Sequence, residues 1–187
     1  MKTTARSHSL YWTRLFAVLG ISALGCTPTE HASVASPKAS PSASATHLGM
    51  ALPPAALVNA AGQAATIEGS RAGRPTLITF WATWCQACHE EFDALNRLET
   101  AAQKEHALVI GVAVGEPLQD VNTFAAKRGL TYAQLVDEEF VLADALGQRE
   151  LPATIVLDRE GHVVFIGRAL DERAIRAFRA AMTQAGP

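Results

Sequence analysis

Apolar residues are grouped along this chain in short blocks that predict alternating strands and helices after residue 75. The segments 76–81 ("TLITFW") and 107–114 ("ALVIGVAV") are almost continuously apolar, as is typical of buried strands covered on both faces. Between them, residues 85–104 predict a helix, since apolar side chains recur there at helical spacing: Phe92, Leu95, Leu98 and Ala102. A strand, a helix and a second strand therefore follow one another directly.

The residues after 114 predict two further helices, a β-hairpin and a terminal helix. The first helix follows Pro117 and ends at Gly129, a residue typical of C-terminal caps, and a short helix is predicted within 139–146. "ATIVLD" and "HVVFIG" predict two strands that "REG" joins as a hairpin. Asp171 suits the N-cap of the last helix, whose core-facing stripe contains Ile175, Phe178 and Met182.

The order of these elements predicts an α/β fold. A short strand pair is expected within residues 56–69, before the series βαβα(α)ββα. Parallel crossovers followed by an antiparallel hairpin give a central mixed sheet with helices on both faces. We expect one such domain, covering residues 51–187.

The first 25 residues predict an export signal that is not part of this domain. Lys2, Arg6 and Arg14 precede the apolar segment 15–25, and no acidic residue occurs before Glu30. The eleven residues of that segment rise only about 16 Å as a helix, against roughly 30 Å of bilayer hydrocarbon. A permanent membrane span is therefore not expected.

The sequence "SALGC", which ends at Cys26, resembles the lipobox of bacterial lipoproteins, in which the cysteine carries lipid. Ala23 and Leu24 depart from the commonest lipobox residues, and an ordinary cleaved signal is the alternative. Residues 26–50 are mostly Ala, Ser, Pro and Thr, which predicts a disordered tether because such residues bury too little apolar surface to offset their ordering entropy. The resemblance implies a periplasm-facing protein anchored to a bacterial membrane, without deciding between the inner and the outer one.

Charge and cysteine content narrow the function further. The formal net charge of −2 suggests neither nucleic acid nor an acidic surface as a partner. With Cys26 assigned to lipid, only Cys85 and Cys88 remain in a domain large enough to fold without disulfide staples. An inert disulfide is the structural alternative, but its four-residue loop would constrain the unfolded chain only weakly.

The segment "CQACH" has three chemical interpretations: a redox dithiol, a c-type haem attachment site with His89 as axial ligand, or half of a zinc site. A second haem ligand is often Met, and after the signal only two remain. Met50 lies in the tether and Met182 on the core-facing stripe of the last helix, so neither suits a haem ligand. Zinc needs about four ligands, and His106 and His162 are isolated. The pattern therefore favours the redox dithiol, which needs no cofactor.

The start of a helix suits the first cysteine for nucleophilic attack. A thiolate attacks a disulfide, and unpaired N–H groups at a helix N-terminus stabilise an anion. We therefore predict Cys85 as the nucleophile. Cys88 follows about one turn later on the same face, and we predict it as the more buried, resolving thiol.

Together, "FWATWCQAC", "VIGVAVGE" and "LPATIVLDREGHVVF" resemble the thioredoxin fold, specifically the TlpA/ResA/CcmG branch of membrane-anchored bacterial thiol–disulfide oxidoreductases. The resemblance covers residues 51–187. It implies that Leu151–Pro152 is a cis peptide facing the dithiol and that the backbone of Leu151 pairs with an extended substrate. It also implies that Trp84 contacts substrate. A trans-Pro at the start of the strand and a packing role for Trp84 are the alternatives.

The resemblance also assigns functions to two acidic residues. Glu91 occupies a position that ResA-like proteins link to the behaviour of their thiols, and it would shuttle a proton to or from the buried Cys88; a solvated helix residue is the alternative. Glu116 corresponds to an acidic loop position that we expect at the substrate surface. Thr79 stands where cytoplasmic thioredoxins have a buried Asp, which leaves Glu91 as the nearest candidate acid.

The implied function is an exported, monomeric thiol–disulfide oxidoreductase that reduces exported proteins, with apocytochrome c as the leading substrate and a DsbD- or CcdA-type membrane electron donor. Many relatives have Pro before the second cysteine, whereas this chain has Gln86 and Ala87 between the cysteines. These residues tune the reduction potential, so an oxidant or isomerase is the alternative. A chaperone-like binding module without turnover is the alternative of another class.

Overall fold

The computed structural model describes residues 47–184, which form one seven-stranded mixed sheet in the order β2-β1-β5-β4-β3-β6-β7. The strands are β1 (Leu57–Asn59), β2 (Ala64–Ala65), β3 (Thr76–Trp81), β4 (Leu108–Val114), β5 (Ala133–Asp137), β6 (Ala153–Leu157) and β7 (Val163–Gly167). The helices are α1 (Ile67–Arg71), α2 (Gln86–Lys104), α3 (Leu118–Arg128), α4 (Val141–Ala145) and α5 (Glu172–Thr183). Strands β3, β4 and β5 are parallel to one another. Strand β6 pairs antiparallel with β3, and β7 pairs antiparallel with β6.

The helices cover both faces of the sheet. Alternate residues of β3 divide between the two cores, with Leu77 and Trp81 on one face and Ile78 and Phe80 on the other. The first face packs against α2, α3 and α5, through Phe92, Val121 and Phe178. The second packs against α1 and α4, through Ile67 and Leu142. This arrangement confirms the predicted mixed α/β sheet with helices on both sides.

Several predicted element ends are present in the structure. Asp171 caps α5, since its Oδ1 accepts a hydrogen bond from Ala174 N at 2.9 Å. Gly129 ends α3 in the left-handed conformation, with φ of 65°. The predicted hairpin pairs β6 with β7, and the predicted strand pair is β1 with β2.

Two elements were not predicted, namely strand β5 and the short helix α1. Strand β5 has only five residues, and two of them, Gln134 and Asp137, are polar, so it has no continuous apolar run. Its place in the sheet depends on β4 and β1, which pair with it on either side. Helix α1 is equally short and is held by Arg71, whose buried guanidinium donates to the carbonyl oxygens of Asp158 and Arg159 in the β6–β7 turn.

The predictions for the N-terminal region fall mainly outside the described residues. The export signal of residues 1–25, the lipidation of Cys26 and the tether up to residue 46 all lie there. The described part of the tether reaches the domain, because Gly49 N donates to Val163 O and Val163 N donates to Met50 O, each at 2.8 Å. Within residues 47–184, no helix combines the length and the apolarity that crossing a membrane would need.

Candidate active site

The two cysteines of the folded part meet where β3 passes into α2. Cys85 is the N-cap of α2, and its Sγ accepts a hydrogen bond from Cys88 N at 3.2 Å. A disulfide joins Cys85 to Cys88, with an S–S distance of 2.02 Å and Cα atoms 5.3 Å apart. The chain direction fixes this placement, since a buried strand ends at Trp81 and the helix begins at Gln86. The positive end of a 19-residue helix therefore faces the sulfur of Cys85.

The two cysteine residues differ slightly in exposure, in the predicted sense. Cys85 is 5% exposed and Cys88 only 1%, so an incoming thiol or disulfide reaches Cys85 first. Trp84, immediately before Cys85, is 68% exposed. Both cysteines are packed within the core that α2 covers, and Trp84 presents a solvent-facing indole directly before Cys85 in the chain.

Glu91 lies one turn after Cys88 on α2, and its carboxyl is half-buried. Its Oε1 accepts a hydrogen bond from Leu170 N at 2.9 Å, whereas its Oε2 is buried and has no hydrogen-bond partner among the described residues. Desolvation by burial raises the pKa of Glu91 above its usual value of 4.5, and the nearby carboxylates of Asp171 and Glu90 raise it further, against the opposing hydrogen bond from Leu170. A carboxyl in this state can exchange a proton closer to neutral pH than an ordinary glutamate.

Thr83, two residues before Cys85, is held by Glu116 and His89, and we call these three residues the Thr83 clamp. Thr83 N donates to Glu116 Oε2 at 2.6 Å, and the Thr83 hydroxyl donates to Glu116 Oε1. The carbonyl oxygen of Thr83 accepts a hydrogen bond from His89 Nε2 at 2.9 Å. Because Glu116 is buried with both oxygens bonded inside the chain, this geometry favours a positioning role over the predicted contact with substrate.

His89 is wedged between aromatic side chains. Its ring centroid lies 5.4 Å from that of Phe92 and 5.1 Å from that of Phe124. Arg128 donates to the carbonyl oxygen of His89 at 3.3 Å and places its guanidinium 5.6 Å from the centre of the Phe92 ring. Sequence alone singled out His89 only as the axial ligand of a c-type haem, and no signal linked it to Thr83.

Leu151 and Pro152 lie immediately before β6, and the peptide bond between them is cis, as the resemblance implies. Leu151 and Trp84, both predicted to contact substrate, line one cleft of about 330 Å³ together with Val114 and Phe140. We call this space the apolar cleft. Phe140 was not singled out from the sequence, because its exposure depends on the turn between β5 and α4.

No cluster of three or more His, Cys, Asp or Glu side chains suited to a metal ion occurs among residues 47–184. His106 ends the turn after α2 with φ of 52°, and His162 lies at the β6–β7 hairpin, where its Nδ1 is 3.6 Å from Asp158 Oδ2.

Residues 48–166 match the family model described as the AhpC/TSA family. Among curated relatives, the thiol-disulfide oxidoreductase ResA of Geobacillus thermodenitrificans (strain NG80-2) is 35% identical over 91 residues, which cover 49% of this chain and 52% of the relative. ResA of Bacillus subtilis (strain 168) is 28% identical over 92 residues, covering 49% and 51%. The chain thus spans about half the length of these curated relatives.

Solved structures with the same fold include a putative thiol:disulfide interchange protein DsbE from Chlorobium tepidum, with a TM-score of 0.66 and 21% identity, covering 72% of this chain and 97% of that chain. An uncharacterized thioredoxin-like protein from Porphyromonas gingivalis has a TM-score of 0.60 and 25% identity, covering 73% and 94%. The likeness establishes a thioredoxin-like fold.

Proposed function

The chain belongs to the AhpC/TSA family, and from that premise we propose that it is a thiol–disulfide oxidoreductase whose redox centre is the Cys85–Cys88 pair. One observation carries the proposal: a disulfide joins the N-cap cysteine of a long helix to a buried cysteine one turn later. The ResA relatives bear the name of this activity, and they confirm the resemblance seen in the motifs.

The proposed reaction transfers two electrons and two protons between the Cys85–Cys88 pair and a cysteine pair of the substrate, one pair being a dithiol and the other a disulfide. In the reducing direction, the Cys85 thiolate attacks one sulfur of a substrate disulfide; the substrate S–S bond breaks, and the departing sulfur leaves as a thiolate that takes up a proton. Cys88 then loses its proton and attacks the Cys85 sulfur. The mixed disulfide breaks, the second substrate sulfur leaves and is protonated, and the Cys85–Cys88 disulfide forms.

Glu91 is the proposed acceptor of the Cys88 proton. It lies one turn after Cys88 on the same helix, and its Oε2 is buried without a hydrogen-bond partner among the described residues. Burial raises the pKa of Glu91, which brings its proton affinity closer to that of a thiol and so lowers the cost of the transfer. The main chain of Leu170 orients the carboxyl through Oε1.

The cellular setting is proposed from the sequence. The segment 1–25 supports export, and the lipobox-like "SALGC" supports a lipid anchor on Cys26 that would hold the protein on the periplasmic side of a bacterial membrane. We propose disulfides of exported proteins as the substrates, with apocytochrome c as the specific candidate, and a DsbD- or CcdA-type donor that restores the dithiol. The name thiol-disulfide oxidoreductase, which the ResA relatives bear, supports disulfide exchange as the reaction.

The deciding experiment is the equilibrium reduction potential of the purified protein, titrated against glutathione or dithiothreitol with Trp fluorescence as the readout. Trp84 lies directly beside the dithiol and serves as the reporter. A potential near that of thioredoxin, about −270 mV, would support a reductase that depends on a dedicated donor. A potential near that of DsbA, about −120 mV, would reassign the protein as an oxidant or isomerase.

Cys88→Ser is the matched control for this titration. It retains the proposed nucleophile but cannot form the intramolecular disulfide, so the two-electron transition should vanish. If the wild-type protein also shows no transition and reduces no protein disulfide, the binding-module alternative replaces the proposal.

A further inference from the structure

Large apolar side chains are exposed around Trp84, the residue immediately before Cys85. Trp84 is 68% exposed and Phe140 is 44% exposed, and both line the apolar cleft of about 330 Å³. Val114 and Leu151 complete its apolar wall. Exposed apolar surface is unfavourable in water, so a concentration of it beside a reactive group indicates a surface that is covered during function.

Phe140 is held in the cleft by an unusual backbone. Its φ is 58°, in the left-handed region that bulky residues rarely adopt. The turn is stabilised by Asp137, whose carbonyl oxygen accepts from Phe140 N at 3.2 Å and whose carboxylate accepts from the backbone N–H groups of Val141, Leu142 and Ala143. Strained conformations persist where surrounding contacts determine them, and they concentrate at functional sites.

The ring of Phe140 lies directly on the backbone of Gly115. A Cβ atom at Gly115 would come within 2.2 Å of the Phe140 ring, and the φ of Gly115 is 69°, which glycine adopts readily. Gly115 connects Val114, a wall of the cleft, to Glu116, a member of the Thr83 clamp. The placement of Phe140 is thus tied to the loop that holds the segment before Cys85.

We propose that the apolar cleft is a specificity pocket that receives an apolar side chain flanking the reactive cysteine of an extended substrate segment, with Phe140 as the specificity-determining residue. This inference rests on the proposed function. Disulfide exchange requires the substrate sulfur to touch Cys85, so the residues flanking that sulfur must lie along the surface that borders Cys85. Trp84 and Leu151 place the cleft on that surface.

Volume and charge define the side chain that would fit. The cleft is at the lower end of the range of about 300–1,000 Å³ typical of ligand pockets, which suits a single large side chain. Its polar rim contains Asp144 and Arg149, which pair with each other at 3.4 Å and leave no net charge between them. An aromatic or branched aliphatic residue therefore matches the cleft better than a charged one.

Two peptides that differ only at the residue next to their single cysteine, Phe in one and Ser in the other, test this pocket. Each peptide is joined to glutathione through a disulfide, and the rate of its reduction by the reduced wild-type protein is measured. We expect the Phe peptide to react about tenfold faster, the discrimination that one apolar side chain in a pocket typically provides. Equal rates would overturn the specificity pocket and leave the oxidoreductase proposal intact.

Phe140→Asn removes the ring and retains a residue that tolerates a left-handed backbone. The ratio of the two rates should then fall to about one. Val164→Asn is the matched control, because Val164 is 38% exposed on β7 and does not line the cleft; it should retain the tenfold ratio. Trp84→Ser is a second variant for the case that Phe140→Asn fails to fold, and its effect on overall reactivity cancels in the ratio. A ratio that stays near ten in the folded cleft variants contradicts the proposal.

Two further outcomes are informative. If neither peptide is reduced by the wild-type protein, the proposed function fails and the specificity pocket fails with it. A loss of preference alone gives a different result, because the Ser peptide is then still reduced. If sedimentation shows a dimer of the wild-type protein that Phe140→Asn converts to a monomer, a second copy of the chain occupies the cleft and the proposal is wrong.

Discussion

Two groups of residues border the loop that carries Cys85, and they differ in character. The Thr83 clamp and Glu91 are polar groups that are wholly or partly buried, and most of their polar atoms are bonded inside the chain. The apolar cleft is open to solvent and is walled by large apolar side chains. Buried polar groups need hydrogen-bond partners, and those bonds fix the positions of the residues that make them. Exposed apolar groups are different, because covering them with a ligand lowers the free energy. The first group is therefore suited to controlling the thiols, and the second to contacting the substrate.

The largest effect should come from Cys85, in the loop that both groups border. Cys85→Ser should reduce disulfide exchange to the uncatalysed rate, because a hydroxyl is not ionised near neutral pH and cannot replace the thiolate. Turnover of a disulfide-linked peptide, followed by the released thiol, checks this expectation. Cys88→Ser is the comparison: it should react once and accumulate as a mixed disulfide on Cys85, visible by mass spectrometry. Unchanged function in Cys85→Ser would point to a binding module.

The next largest effect concerns Glu91 and the second half of the reaction. Glu91→Gln cannot accept a proton, so the step in which Cys88 attacks should slow by about a hundredfold, the usual range for loss of a general base. In the wild type this step should speed up as pH rises through the raised pKa of Glu91, since only the ionised carboxylate accepts a proton. Stopped-flow Trp fluorescence across pH 4 to 9 would record both effects. An identical pH profile in Glu91→Gln would remove Glu91 from the mechanism.

The stability of the same variant gives an independent check on burial. Folding raises the pKa of Glu91, so its protonated form contributes stability that is fully present below the ordinary value of 4.5 and is lost as pH rises through the folded-state pKa. The neutral Glu91→Gln should therefore gain stability relative to the wild type as pH increases over that window. Urea unfolding at pH 4 and at pH 8 measures the change, and Asp93→Asn, at an exposed position of the same helix, is the control.

A smaller effect is expected from opening the Thr83 clamp at its carboxylate. Glu116→Ala leaves the N–H and the hydroxyl of Thr83 without their acceptor, which should lower the free energy of unfolding by about 1–3 kcal/mol. Glu116→Gln keeps an acceptor oxygen and should recover part of the loss. The alkylation rate of Cys85 by iodoacetamide should change in Glu116→Ala as well. An unchanged rate would make the clamp a purely structural feature.

The smallest effect should follow from changing His89, the second residue that holds Thr83 in the clamp. His89→Phe keeps a ring between Phe92 and Phe124 but removes the donor to Thr83 O, a loss of about 0.5–1.5 kcal/mol. His89→Asn, which retains a donor and loses the ring, separates hydrogen bonding from packing. Urea midpoints measure stability, and the reduction potential shows whether Cys85 responds. Equal potentials in both variants and the wild type would limit His89 to packing.

The dithiol could be predicted from the sequence because its geometry is local. A buried strand followed at once by a helix places Cys85 at the helix N-terminus, and the 3.6-residue period places Cys88 and Glu91 on the same face. The Asp171 cap is local for the same reason, since its acceptor and the Ala174 donor are three residues apart. The assignment of Trp84 and Leu151 to one surface came from the resemblance, and the structure places them in one cleft.

The contacts that surround the dithiol depend on residues that are distant in sequence. Thr83 and Glu116 are 33 residues apart, and Glu91 and Leu170 are 79 apart. Their meeting depends on the strand order, because it brings the loops after β3, β4 and β7 to the helix that carries the cysteines. Strand β5 was missed for the same reason, since its five residues form a strand through pairing with β4 and β1, which are distant in sequence.

The sequence by itself determined most of the order of strands and helices, the α/β class and the placement of two cysteines at a helix N-terminus, because each rests on the order of apolar residues within a few turns. Only the tertiary structure decided that Glu116 and His89 hold Thr83 and that Phe140 lies on Gly115 and lines one cleft with Trp84. These contacts join separate loops at one edge of the sheet, and their energies depend on burial and distance, which no local pattern of residues encodes.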